Sequence, residues 1–138
     1  MRALGLDVGH KRIGVALSDP EGILASPLTI IDAMDTEQAI NNISGLCNQY
    51  QVERIVVGMP RSMDGTLGKQ AEVVQQFVGR VADTIMITID IWDERLSSIE
   101  ADRAMIATGT KKDKKKKLRD AIAAAIILQG YLDRKRNE

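Results

Sequence analysis

Four acidic positions stand where this chain could do chemistry: Asp7, the adjacent pair Asp93 and Glu94, and Asp120. Asp7 lies inside an apolar alternation, LGLDV. There a half-buried carboxylate is costly unless a hydrogen-bond network, a cation or a metal compensates it. Asp93-Glu94-Arg95 follows directly on the alternating run IMITIDIW, the carboxyl end of a strand, where α/β sheets bind their ligands. Asp120 heads an apolar helical run, with Ala123 and Ala124 on its own face at i+3 and i+4. Side chains that small let a helix lie close to a sheet. Three separated acids, each at the end of an element, make the pattern of a Mg²⁺ site, because Mg²⁺ takes oxygen ligands, keeps several waters and needs few carboxylates. Two such ions about 3.5–4 Å apart activate a water and stabilise the leaving oxygen in phosphodiester cleavage. Each position also has a plainer reading. Asp7 could cap a turn, the acidic pair could be a solvated loop cluster, and Asp120 could be a helix N-cap.

Other chemistries have less to work with. His10 is the single histidine, which weakens histidine metal sites and a Ser-His-Asp triad. It reads as a turn residue or a phosphate contact. Gly65-Thr66-Leu67-Gly68-Lys69 lacks the first glycine of a P-loop, and Gln70 follows the lysine, so a nucleotide-binding loop is rejected. Val57-Gly58-Met59-Pro60 with Gly65-Thr66 after it opens a glycine-bearing loop that could hold a phosphate or simply turn the chain. Aromatic residues make up 3% of the chain, too few for a platform of stacked bases. Cys47 is the one cysteine, so no internal disulfide forms, and its helical setting reads as a buried small hydrophobe.

The elements that must carry these residues follow from periodicity. Leu4–Ser18 alternates, turns at Gly9 and alternates again through Ile13, Val15 and Leu17, a β-hairpin with Asp7 near the end of its first strand. Gly14 in the return strand marks a bulge or a close approach. Ser18–Gly22 is a turn, and Ile23–Ile31 reads as a third strand, with Pro27 placing it at an edge or marking a break. Thr36–Tyr50 reads as a helix capped by Asp35 or Thr36, and Arg54–Met59 as a buried strand. Leu67–Ala82 reads as a second helix, Ile85–Trp92 as another strand and Ser97–Thr108 as a third helix. Lys111–Lys117, with six lysines in seven residues, is expected to be solvated and mobile. A final helix is expected from about Leu118 to Arg134. The order βββ-α-β-α-β-α-α predicts an α/β chain with a mixed sheet and helices on both faces.

The 138 residues suffice for one domain with an aliphatic core, residues 1–138, and no linker or repeat interrupts them. The formal net charge of zero hides an asymmetry. Residues 1–100 carry 8 Lys and Arg against 14 Asp and Glu, net −6, and residues 101–138 carry 11 against 5, net +6. An acidic body beside a basic segment suits a polyanion contact next to a metal-binding centre. No stretch approaches the ~20 apolar residues of a membrane span, and the N-terminus enters a strand at once, so a cytoplasmic protein with no membrane contact is expected.

Four motifs together resemble the YqgF (RuvX) family of small bacterial proteins, described as candidate Holliday-junction resolvases and as candidate nucleases of the 5′ end of pre-16S ribosomal RNA. They are LGLDVGHKRIGVALSD (Leu4–Asp19), IVVGMPRSMDGT (Ile55–Thr66), DERLSS (Asp93–Ser98) and RDAIAAAIIL (Arg119–Leu128). The departures are small. His10 stands where threonine is common, and DERLSS has serine for threonine. The resemblance implies a ribonuclease H-like fold with a five-stranded sheet whose first three strands are antiparallel. It implies that Asp7, Glu94 and Asp120 are the catalytic, metal-binding acids, holding Mg²⁺ or Mn²⁺, with Asp93 orienting Arg95 or its loop.

The expected function is therefore metal-dependent hydrolysis of nucleic acid, most specifically in processing pre-16S ribosomal RNA. Lys11, Arg12, Arg95, Lys114, Lys115 and Arg119 would hold the phosphate backbone, RNA being favoured over structured DNA, in a monomer or weak homodimer. The rivals are a Holliday-junction resolvase, which needs a symmetric dimer to cut two strands, and a non-catalytic RNA-binding assembly factor. A phosphotransferase of the actin-hexokinase kind would need two such domains and a much longer chain.

Overall fold

The computed structural model describes residues 1–60, 68–96 and 112–138, with side chains from 119 onward in the last of these. Strands β1 (Ala3–Val8), β2 (Arg12–Ser18) and β3 (Ala25–Asp32) form an antiparallel meander. Helix α1 (Thr36–Tyr50), strand β4 (Arg54–Met59), helix α2 (Lys69–Thr84) and strand β5 (Thr88–Asp93) follow, then a 3₁₀ turn at Glu94–Leu96 and helix α3 (Lys112–Arg136). The sheet order is β3-β2-β1-β4-β5, with β4 parallel to both β1 and β5. The expected mixed sheet is present, with Pro27 on an edge strand.

The period of two sorts the strands into two faces. Leu4, Leu6, Ile13, Val15, Ile55 and Val57 pack under α1 and α2. Ala3, Ala16, Val56 and Trp92 pack under α3, against Ala123, Ala124, Ile127 and Leu128. Helices therefore cover both faces. The α3 layer is the closer of the two. A Cβ on Gly5 would stand 3.0 Å from the Ala124 carbonyl and 2.8 Å from Leu128 Cβ. The small residues at 123 and 124 permit that approach.

The bounds of α1 match the sequence expectation, whereas two strand starts differ for local reasons. Asp35 is the α1 cap, its carboxylate accepting from the Gln38 N–H at 3.1 Å. β3 starts at Ala25 because the Asp19 carboxylate takes the N–H groups of Ile23 and Leu24. β5 starts at Thr88, since the Ile85 N–H is bound to Val81 O at 2.8 Å and completes α2. The larger correction is at α3. The lysine-rich stretch was expected to be a mobile loop, yet the helix already runs from Lys112. Lysine is a good helix former, and the buried face further along the same helix supports its first turns. Asp120 thus lies in the helix interior, which overturns its reading as an N-cap. The expected third helix, Ser97–Thr108, and the turn after Pro60 lie outside the described residues.

A polar clasp fixes the far half of α3. The Tyr131 hydroxyl donates to Asp90 on β5, and Arg54 at the start of β4 donates to the same carboxylate at 2.6 Å and to the Tyr131 oxygen at 3.1 Å. Burial pushes the Asp90 carboxyl up, but the bonds from Tyr131 and Arg54 outweigh it and hold the group below its ordinary value. Tyr131→Phe should cost about 1–2 kcal/mol near neutral pH, the scale of a part-buried hydrogen bond whose partner is left behind. Because the folded carboxyl is depressed, its contribution is present above the ordinary carboxylate range and is lost as pH falls below about 4. Urea unfolding at pH 7 and pH 3 checks this: the gap between wild type and variant should narrow in acid.

Candidate active site

Asp7 is half-buried near the carboxyl end of β1, on the α3 face it shares with Ala3 and Gly5. Its cross-strand neighbour on β2 is Gly14. That glycine is where α3 lands: a Cβ there would stand 1.9 Å from the Asp120 carbonyl oxygen. On the other flank, β4 runs parallel to β1 with Leu6 beside Val57, so Gly58 follows Val57 as Asp7 follows Leu6. A Cβ on Gly58 would meet Ile127 and, at 3.3 Å, the Cγ of Glu94. Two glycines thus bring Asp120 to one side of Asp7 and Glu94 to the other. Gly14 marks a close approach; the irregularity in the β2–β3 ladder falls between Val15 and Ala16. Gly58, read as part of a turning or phosphate-holding loop, is a packing residue under Glu94.

The adjacent acids divide their work. Asp93 accepts from the Arg95 main-chain N–H at 3.0 Å and from its guanidinium at 2.6 Å. It orients Arg95, one of the two roles the resemblance implied for it. Glu94, one residue on, opens the 3₁₀ turn and lies beside Gly58, where Ile127 of α3 also packs.

The basic residues are distributed less simply. Lys11 is exposed at the hairpin turn. Arg12 donates from Nε to Asp120 Oδ2 at 2.8 Å, an ion pair no sequence signal announced. Arg119 is half-buried, with its Nε enclosed. The side chains of Lys114 and Lys115 lie outside the described residues. His10 lines an open cleft of about 600 Å³ on the α1–α2 side, with Thr36, Phe77, Arg80 and Asp83. Gln70, which the sequence did not single out, donates to the Val8 carbonyl at 2.8 Å and steadies the strand end that carries Asp7.

Among the described residues no three His, Cys, Asp or Glu side chains stand as a group that could hold a metal ion, and the Asp120 carboxylate is turned to Arg12. The donor chemistry nevertheless fits a hard divalent ion. The three side chains at this end of the sheet offer carboxylate oxygen only, the set used by ions that keep several waters.

The chain matches the model of the RuvX family, described as Holliday junction resolvase, over residues 1–134. It is 47% identical over 134 residues to a protein of Clostridium kluyveri, covering 97% of this chain and 98% of that one. It is 48% identical over 133 residues to a protein of Desulforamulus reducens, covering 96% and 97%. Both carry the name "Putative pre-16S rRNA nuclease". Among solved structures it is similar to Thermus thermophilus RuvC in complex with a Holliday junction, with a TM-score of 0.63, 14% identity and coverage of 98% and 96%. The resolvase of Fowlpox virus, also solved with junction DNA, aligns with a TM-score of 0.55, 13% identity and coverage of 98% and 99%. At those identities the likeness shows the fold, which is the ribonuclease H-like architecture expected.

Proposed function

The chain belongs to the RuvX family, and from that premise we propose that it is a metal-dependent nuclease acting on pre-16S ribosomal RNA. The observation that supports the reading is that Gly14, paired with Asp7, seats the Asp120 main chain, while Gly58 on the other flank lies against Glu94, all at one end of the sheet. Residues 1–138 act as one nuclease domain in the cytoplasm. Asp7, Glu94 and Asp120 hold Mg²⁺ or Mn²⁺; such an ion supplies Lewis-acid charge at the phosphate and acidifies an attacking water. The protein's own share is placement. β1 holds Asp7 rigidly in the ladder, and the 3₁₀ turn presents Glu94. The α3 main chain, seated on Gly14, sets the depth of Asp120. Lys11, Arg95, Arg119 and the lysines at the head of α3, Lys114 and Lys115 among them, provide phosphate contacts, so binding weakens steeply with salt.

The test is cleavage of three matched substrates: a pre-16S RNA transcript, single-stranded RNA and a four-way DNA junction. Each is run with Mg²⁺, with Mn²⁺ and with chelator. The expected result is cation-dependent cutting with the ribosomal precursor preferred. Preference for the junction would make the protein a resolvase. Binding of RNA without cutting, equal with and without chelator, would make it an assembly factor.

A further inference from the structure

The Arg12–Asp120 pair is built by the fold. Arg12 opens β2 straight after a tight turn in which the Gly9 N–H donates to the Arg12 carbonyl at 2.9 Å. Arg12 and Gly14 share one face of β2 by the period of two, and Gly14 is the residue against which the Asp120 main chain is seated. Both partners are thereby set by backbone contacts, and their side chains are 37% and 24% exposed. A carboxylate oxygen that accepts from a guanidinium is already charge-compensated. A divalent ion approaching the same oxygen meets both an occupied acceptor and a like charge.

We propose that Arg12 and the divalent cation compete for Asp120. Without the cation, Arg12 holds the carboxylate. Cation binding draws Asp120 away and releases the guanidinium, which then takes a backbone phosphate of the nucleic acid. The inference rests on the cation-site reading above and deepens it, because it sets an order in which the phosphate contact is created by metal loading. Arg12 is a positioning residue in the unloaded protein.

The test is Mn²⁺ binding by titration calorimetry on the full chain, without nucleic acid, for wild type, Arg12→Gln, Asp120→Asn and the double variant. Arg12→Gln should tighten Mn²⁺ binding about two- to fivefold, the scale of a partly exposed ion pair. In the Asp120→Asn background the same change should bring no gain. An equal gain in both backgrounds is a general charge effect, and no gain in the single variant means no competition; either result overturns the proposal. If the wild type binds no Mn²⁺, or Asp7→Asn leaves binding untouched, the cation site itself fails and the proposal falls with it. Should Arg12→Gln not fold, Arg12→Lys gives the same comparison, since a lysine cannot reproduce the guanidinium's planar hydrogen bonding.

Discussion

Asp7→Asn should leave a folded protein that still binds RNA and no longer cuts it. The substitution keeps the size of the side chain and removes one negative charge from the interior end of β1. At the cation site that charge is expected to be worth about 4 kcal/mol of transition-state stabilisation, which at about 1.4 kcal/mol per tenfold is a loss near a thousandfold in rate. The fold should be retained, because the amide keeps the side chain's size and the residue's place in the β1–β2 ladder. Single-turnover cleavage, RNA binding by gel shift and a thermal melt read the three consequences separately. Cleavage within tenfold of wild type would remove Asp7 from the catalytic centre. A fall in binding that tracks the fall in cleavage would make it a binding residue instead.

Among the described glycines, Gly14→Ala should be the most damaging single methyl group to add. Its Cβ would stand 1.9 Å from the Asp120 carbonyl oxygen and 2.4 Å from the carbonyl carbon. Main chain cannot rotate aside as a side chain does, so either β2 or α3 must move. α3 is held elsewhere by the Gly5 contact to Ala124 and Leu128 and by the Tyr131 clasp, so the strain has no soft outlet. Overpacking of this kind costs about 1–3 kcal/mol, here at the upper end, which corresponds to a fall in melting temperature of roughly 10 °C. Activity should fall beyond what lost stability explains, measured well below the melting point, because Asp120 and the Asp7 ladder are displaced together. The control is Gly45→Ala on α1. Nothing stands within 4 Å of its added Cβ, and it should stabilise the protein by up to about 1 kcal/mol. If both variants melt like wild type, the seating of α3 on β2 is looser than described.

The hairpin, the helix stripes and the placement of Asp7 and of Asp93-Glu94 at strand ends were legible in the sequence, because the periods of two and 3.6 are written in near neighbours; the place of Asp120 was not, since its helix begins eight residues earlier. Leu4 and Leu6 declare the buried face of β1, and Asp7 must then lie on the other face. The stripe of Ala71, Val74, Phe77 and Val81 declares α2 in the same way, and all four are buried. The family motifs carried the fold further, to a five-stranded sheet whose first three strands are antiparallel. Local pattern misread the lysine run, where expected repulsion counted for less than helix propensity backed by a buried face downstream. Tertiary structure alone decided the rest. Inserting β4 beside β1 set Gly58, and with it Glu94, next to Asp7. Laying α3 across β2 turned Gly14 into the seat of Asp120. It also gave Arg12 a partner 108 residues away. Such pairings depend on which strands neighbour one another and how closely a helix can approach them. Those are properties of the assembled layers, and no window along the chain contains both partners.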